Sequence, residues 1–160
     1  MTPVQFTPGQ LRETVGISVE TFRHWKRVLP PFAKRKRYVP SFTVGDLLAG
    51  RILRRLTESC GVRVGHLTMV SDEIVRVCNM AAWASLEQKA LLIDLAEGRC
   101  RLAGPNDDIG TDDIVLRCAL GPIMREVRDA LLRSHPAANQ HNLLFPPVEV
   151  ERARNVRRRG

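Results

Sequence analysis

The 160-residue chain carries 25 Lys and Arg against 17 Asp and Glu, a formal net charge of +8, and 44% of its residues are hydrophobic. That apolar fraction is ordinary for a folded domain, and no run of about 18 apolar residues occurs, which excludes a membrane-spanning helix. The opening Met1-Thr2-Pro3-Val4-Gln5-Phe6 lacks the basic start and apolar stretch of a secretory signal, so a cytoplasmic location is expected.

The charge is unevenly placed. Residues 1–66 hold 12 basic and 4 acidic residues, net +8. Residues 67–151 hold 8 basic and 13 acidic, net −5, and residues 152–160 add 5 Arg with no acid. Such an asymmetry suggests a segment that meets a polyanion, joined to one that does not.

Thr7-Pro8 is a helix start, with a hydroxyl N-cap followed by Pro at the first helical position. The helix is predicted to run through Gln10, Leu11 and Glu13 to about Val15, where Gly16 supplies the left-handed residue that ends it. Ser18 is a second N-cap, and a second helix is predicted from Val19 to about Val28. Glu20 in its first turn suits the positive end of the helix dipole. Pro30-Pro31 stops this helix, because neither residue can donate a backbone bond.

Two short helices joined by a tight turn with Gly are the helix-turn-helix arrangement. On the second helix, Val19, Phe22 and Trp25 recur every three residues and are expected to face the core. Thr21, Arg23, His24 and Arg27 fall on other faces, and a basic, hydrogen-bonding face is what major-groove readout requires.

Lys34-Arg35-Lys36-Arg37-Tyr38 follows as a basic and aromatic cluster in a loop or hairpin, where a wing would sit. Its charges can grip phosphates, and Tyr38 can anchor the wing. Thr43-x-x-Asp46 then resembles a capping box with Asp in place of Glu. It opens a third helix, Val44 to Cys60, that places Leu47, Leu48, Ile52 and Leu56 on one side before Gly61.

These residues together resemble the winged helix-turn-helix domain of MerR-type regulators. The match runs from Phe6 to Leu67 in the family's order: FTPGQL, the turn GIS, the run ETFRHW, the wing ending RKRY, then FTVGDL and ILRRLTESCGVRVGHL. The resemblance implies that Thr21, Arg23 and His24 occupy the groove-facing part of the recognition helix. It implies that Arg35, Arg37 and Tyr38 make the wing contacts, and that Trp25 is the packed aromatic. His24 stands where the family has Tyr, and Lys26 where it commonly has Glu, so the family's base preference does not transfer. The family's long antiparallel dimer helix has no counterpart either, since no heptad pattern persists for three repeats. If the chain dimerises, the fourth helix or a sheet edge must carry it.

That fourth helix is predicted from about Val64 to Met80, with Leu67, Val70, Ile74 and Val77 at helical spacing. Beyond Trp83 two readings compete. Ser85-x-x-Gln88 can cap a helix running to Gly98. Alternatively, Ala90 to Leu95 is a buried strand that turns at Glu97-Gly98 into the alternating Arg99-Cys100-Arg101-Leu102; this hairpin is the favoured reading. Gly104 to Asp113 is a loop, Ile114 to Ala119 a third strand, and Gly121-Pro122 opens a last helix to about Ser134. The tail from Asn142, with its Arg cluster, reads as disordered.

Cys60, Cys78, Cys100 and Cys118 form no C-x-x-C and no Cys/His pair at ligand spacing, so free buried thiols are expected and no metal. Asp107, Asp108, Asp112 and Asp113 lack a calcium-loop pattern and read as a solvated loop. His66, His135 and His141 are scattered. No Ser/His/Asp or paired-carboxylate arrangement stands out, so neither catalysis nor a cofactor is expected.

The fold class expected is mainly α with a small α+β part. A winged helix-turn-helix would occupy residues 1–66, a small α+β unit for dimerisation or sensing, with its own core, residues 67–141, and a basic tail residues 142–160. The expected function is sequence-specific DNA binding in transcriptional regulation, in a nucleoid-associated cytoplasmic protein. The expected partners are double-stranded DNA, a second copy of the chain as a homodimer, and a small-molecule or protein effector. The candidate DNA contacts are Ser18, Thr21, Arg23, His24, Arg27, Lys34, Arg35, Lys36, Arg37 and Tyr38. Excisionase-like and phage architectural proteins carry similar small winged helices, so bending or packaging DNA is the alternative.

Overall fold

The structure is a computed structural model that describes residues 4–34, 40–108 and 114–134. It is mostly helical, with one small antiparallel sheet. No described helix is long and apolar enough to cross a membrane.

The first helix, α1, spans Pro8–Val15, and local chemistry sets both its ends. The Thr7 hydroxyl accepts from the Gln10 amide at 3.2 Å, and the Gln10 side chain accepts from the Thr7 amide at 2.8 Å. This reciprocal pair satisfies two amides that no helical carbonyl can reach. Gly16, at φ 76°, ends the helix, with its own amide and that of Ile17 donating to the Arg12 carbonyl. Helix α2 spans Val19–Val28, capped by Ser18, whose hydroxyl accepts from the Thr21 amide at 3.0 Å.

The two prolines after α2 do more than stop it. Leu29 ends α2, and Pro30 then opens a four-residue helix, α3, Pro30–Ala33. Proline is tolerated there because the first helical amide has no partner to lose. This turn folds Phe32 back under α2. The Phe32 ring lies 6.3 Å from Phe22 and 5.6 Å from Trp25, and Phe42 lies 6.2 Å from Phe22. Phe42 is held by a backbone bridge to Phe6, with its carbonyl accepting from the Phe6 amide at 2.7 Å. Each tilted or edge-on aromatic pair contributes about 0.5–1.5 kcal/mol beyond its buried area.

Helix α4, Val44–Glu58, is the centre of the molecule. Thr43 and Asp46 form the expected capping box, and the buried Asp46 carboxylate also accepts from the Asn79 side chain at 3.0 Å. The helix stops two residues before Cys60, with the Ser59 amide closing on Arg55. At Gly50 an added Cβ would meet the Val15 side chain at 2.8 Å, so α1 and α4 approach more closely than any larger residue allows. The predicted helix from Val64 begins as a 3₁₀ turn, Val64–Leu67, and becomes α-helical as α5, Thr68–Met80.

A short helix, α6, Trp83–Leu86, leads into the hairpin β1 Ala90–Asp94 and β2 Arg99–Ala103. Strand β3, Leu116–Ala119, pairs on the other side of β1, giving the order β2-β1-β3. The register sets Ile93 opposite Cys100 and Leu116, and Leu91 opposite Leu102 and Cys118. These six residues share one face, and that face joins the core. Helix α7, Leu120–Ser134, follows at once.

The expected separate core of the second unit is not what the packing gives. Helix α7 packs against α1 and α4, and β2 packs against α5. Ile123, Met124, Val127 and Leu131 therefore belong to the same hydrophobic cluster as Leu11, Leu47 and Ile52.

Truncating Phe42 should be costly, because it removes a buried ring that packs on both Phe22 and Phe32. Phe42→Ala is expected to destabilise the chain by about 3–5 kcal/mol in urea unfolding. Gly16→Ala should cost at least about 1–2 kcal/mol, since alanine strains at this left-handed residue.

Candidate nucleic-acid interface

Helix α2 divides its residues sharply. Phe22 and Trp25 are buried, and their packing on Phe32 and Phe42 sets the rotation of the helix about its axis. Ser18, Glu20, Arg23, His24 and Arg27 are exposed as a result, and Thr21 is partly so. Val19 departs from expectation, being 37% exposed rather than in the core. The aromatic cluster sits under residues 22–25, and Val19, one turn nearer the N-terminus, projects past it. Ser18 and Thr21 are joined at 3.0 Å, so their hydroxyls form one fixed polar pair at the start of the helix. Lys26 lies 6.0 Å from the Phe22 ring centre, within reach of a cation–π contact.

Two groups stand out among the basic residues of the first half. Arg51 and Arg54 donate to the Val15 carbonyl at 2.8 and 3.0 Å, Arg54 also pairs with Glu58, and Arg51 and Arg55 both pair with Glu126. These three arginines are committed within the fold. Arg23, Arg27 and Lys34, by contrast, are exposed and make no ion pair among the described residues. Lys34 ends α3 and stands just after the turn that carries Phe32. The remaining wing candidates, Arg35, Lys36, Arg37 and Tyr38, lie outside the described residues.

The C-terminal end of α2 is tied down as well. The Thr68 hydroxyl, with one proton to donate, has two carbonyls in reach, that of Gly65 at 2.9 Å and that of Val28 at 3.3 Å. Sequence reasoning missed this contact and the arginine contacts to Val15. Both link residues some 36 to 40 positions apart, which no local pattern signals.

The cysteines are free, but not all are buried as expected. Cys60 is exposed just past the end of α4, Cys78 and Cys100 are buried, and Cys118 is half-buried. Burial pushes the Cys78 and Cys118 thiols up, and burial together with the Glu73 carboxylate pushes Cys100 up to about 11. A reactive or metal-binding cysteine needs the opposite shift. Among the described residues, no three His, Cys, Asp or Glu side chains gather so as to hold a metal ion. Asp107 instead braces its own loop, accepting from the Gly104 amide at 2.7 Å. His66 is exposed, while Asp112, Asp113, His135 and His141 lie outside the described residues.

Comparison with known protein families, with curated proteins and with solved structures finds no match for this chain.

The raised thiols give a signed pH dependence. The folded chain keeps protons that the unfolded chain releases, so stability is full below the ordinary thiol value of 9.0 and falls as pH rises towards about 11. Urea midpoints measured between pH 8 and 11 should show this decline, and Cys100→Ala should make it shallower. A thiol reagent at pH 8 should modify Cys60 fastest in the native protein, the half-buried Cys118 more slowly, and Cys78 and Cys100 only on unfolding.

Proposed function

We propose that this chain is a sequence-specific DNA-binding protein that regulates transcription. In this reading α1, the Gly16 turn and α2 form a helix-turn-helix, and α2 is the recognition helix that enters the major groove. The observation that carries it is the division of α2. Two aromatic anchors fix one face, and the opposite side presents Ser18, Thr21, Arg23, His24 and Arg27 to solvent. Hydroxyl and guanidinium groups near the N-terminus of such a helix are the groups that read base edges.

The proposed labour is as follows. Arg23 reads a base edge, with Thr21 and His24 beside it. Arg27 and Lys34 meet the phosphate backbone. Arg35, Lys36 and Arg37 extend that grip as a wing, with Tyr38 as its anchor, the role their counterparts take in the MerR-type regulators that the segment resembles. Two copies of the chain would bind a roughly palindromic site.

One observation favours a second reading, an architectural protein that bends DNA without recruiting polymerase. The longest described helices, α4 and α7, have 15 residues each and bury their apolar faces within the chain. Neither offers the long dimer helix by which MerR-type regulators pair. Bending and stoichiometry measured on the bound site separate the two readings, since a regulator of this type binds as a dimer.

Genome-wide mapping of bound DNA supplies the site. On it, Arg23→Ala should cost about 1–3 kcal/mol, with less effect on random DNA. Equal losses on both would remove Arg23 from base reading. Arg35→Ala and Arg37→Ala should each flatten the log–log salt dependence by about 0.9, the contribution of one phosphate contact on duplex DNA.

A further inference from the structure

Glu126 lies near the middle of α7, far in sequence from α2, yet two contacts and a three-residue step along the chain join them. One of its carboxylate oxygens accepts from Arg51 Nε at 3.1 Å and lies 3.0 Å from a terminal nitrogen of the same guanidinium. The other oxygen takes Arg55. The remaining nitrogen of Arg51 donates to the Val15 carbonyl at 2.8 Å. Val15 is the last residue of α1, and three positions later Ser18 caps α2.

The guanidinium groups also lie against the turn itself. A Cβ on Gly16 would come within 2.2 Å of Arg54 Nη1 and 3.2 Å of Arg51 Nη1. The Arg51 side chain is only 20% exposed and Glu126 34%, so solvent screens this pair less than an ordinary surface pair. A guanidinium is planar, and an acceptor held on one edge fixes the direction of the donors on the other. Glu126 therefore fixes the plane in which Arg51 meets the Val15 carbonyl. Arg54 reaches the same carbonyl but pairs with Glu58 on its own helix, so it carries no link to α7.

We propose that Glu126 is a positioning residue for α2. Acting through Arg51, it makes the angle of the recognition helix depend on the placement of α7, and with it the discrimination between DNA sequences. The part concerning DNA rests on the function proposed above; the mechanical part does not. Any ligand or partner that shifts α7 would then act on DNA reading through this contact, with no change at α2 itself.

The test uses Glu126→Gln, which keeps the shape and removes the charge, and Arg51→Lys, which keeps the charge and removes the two-edged plane. Both are made in the full chain. Hydrogen exchange should quicken about tenfold at the Gly16 and Ile17 amides, both bonded to the Arg12 carbonyl, with α5 unchanged. The ratio of specific to random DNA binding should fall by about tenfold, the size of an ordinary coupling between sites. A merely stabilising ion pair would instead lower the melting temperature and quicken exchange throughout, leaving the binding ratio of the folded protein intact. That result, or unchanged exchange at Gly16 and Ile17 in both variants, overturns the proposal. If the wild-type chain shows no sequence preference at all, the proposed function fails instead, and the exchange measurement still decides whether Glu126 sets the turn.

Discussion

Neighbouring helices seat closely on α4, and that seating places the other elements. The α4 residues from Gly45 to Gly50 are all buried, and Ile52, Leu53 and Leu56 continue the apolar surface. Helices α1, α5 and α7 all pack on it. A helix buried on so many sides has no polar face to spare at its start, so its N-terminal amides must be satisfied locally. Thr43 and Asp46 do this, and the same carboxylate then receives Asn79 from α5. The cap is thus also a joint between two helices. The C-terminal half of α4 reaches water, and there it spends its arginines on Val15, Glu58 and Glu126.

This arrangement explains why the two halves of the sequence, so different in charge, fold around one core. The first half supplies α4, the second supplies α5 and α7 to cover it, and the sheet packs in turn on α5 and α7. The charge difference is partly used in the joint, where Arg51 and Arg55 of the basic segment meet Glu126 of the acidic one. Arg23 and Arg27 of α2 are then cations with no ion-pair partner among the described residues. One buried hydroxyl, that of Thr14 on α1, has no hydrogen-bond partner among the described residues. A buried unmade bond of that kind costs about 1–3 kcal/mol.

Much of the architecture was legible because its signals are local. Thr7-Pro8, Gly16, Ser18 and the Thr43–Asp46 pair each act within four residues, and each marks a helix end in the structure. The alternation of Arg99 to Leu102 likewise reports a strand with one buried face. What stayed hidden depends on distance in sequence. The contacts of Glu126 with Arg51 and Arg55 span 75 and 71 positions, and no periodicity encodes them. Val19 was misplaced because spacing fixes a face but not where along the helix the core ends. Pro30 signals a stop in the sequence, yet the same chemistry that ends one helix starts the next. On α2, spacing separated Phe22 and Trp25 from Arg23, His24 and Arg27, but it could not tell these cations from those of α4, which are already engaged.

With α2 as the docking helix proposed above, the contacts at its two ends have a kinetic consequence. Ser18 and the arginine-held turn secure its start, and the Thr68 hydroxyl reaches its last carbonyl, that of Val28. A helix so fixed before any encounter has little conformational freedom left to lose on docking. Association would then be set by collision and charge rather than by rearrangement. Differences between good and poor partners would appear in how long the complex lasts, not in how fast it forms.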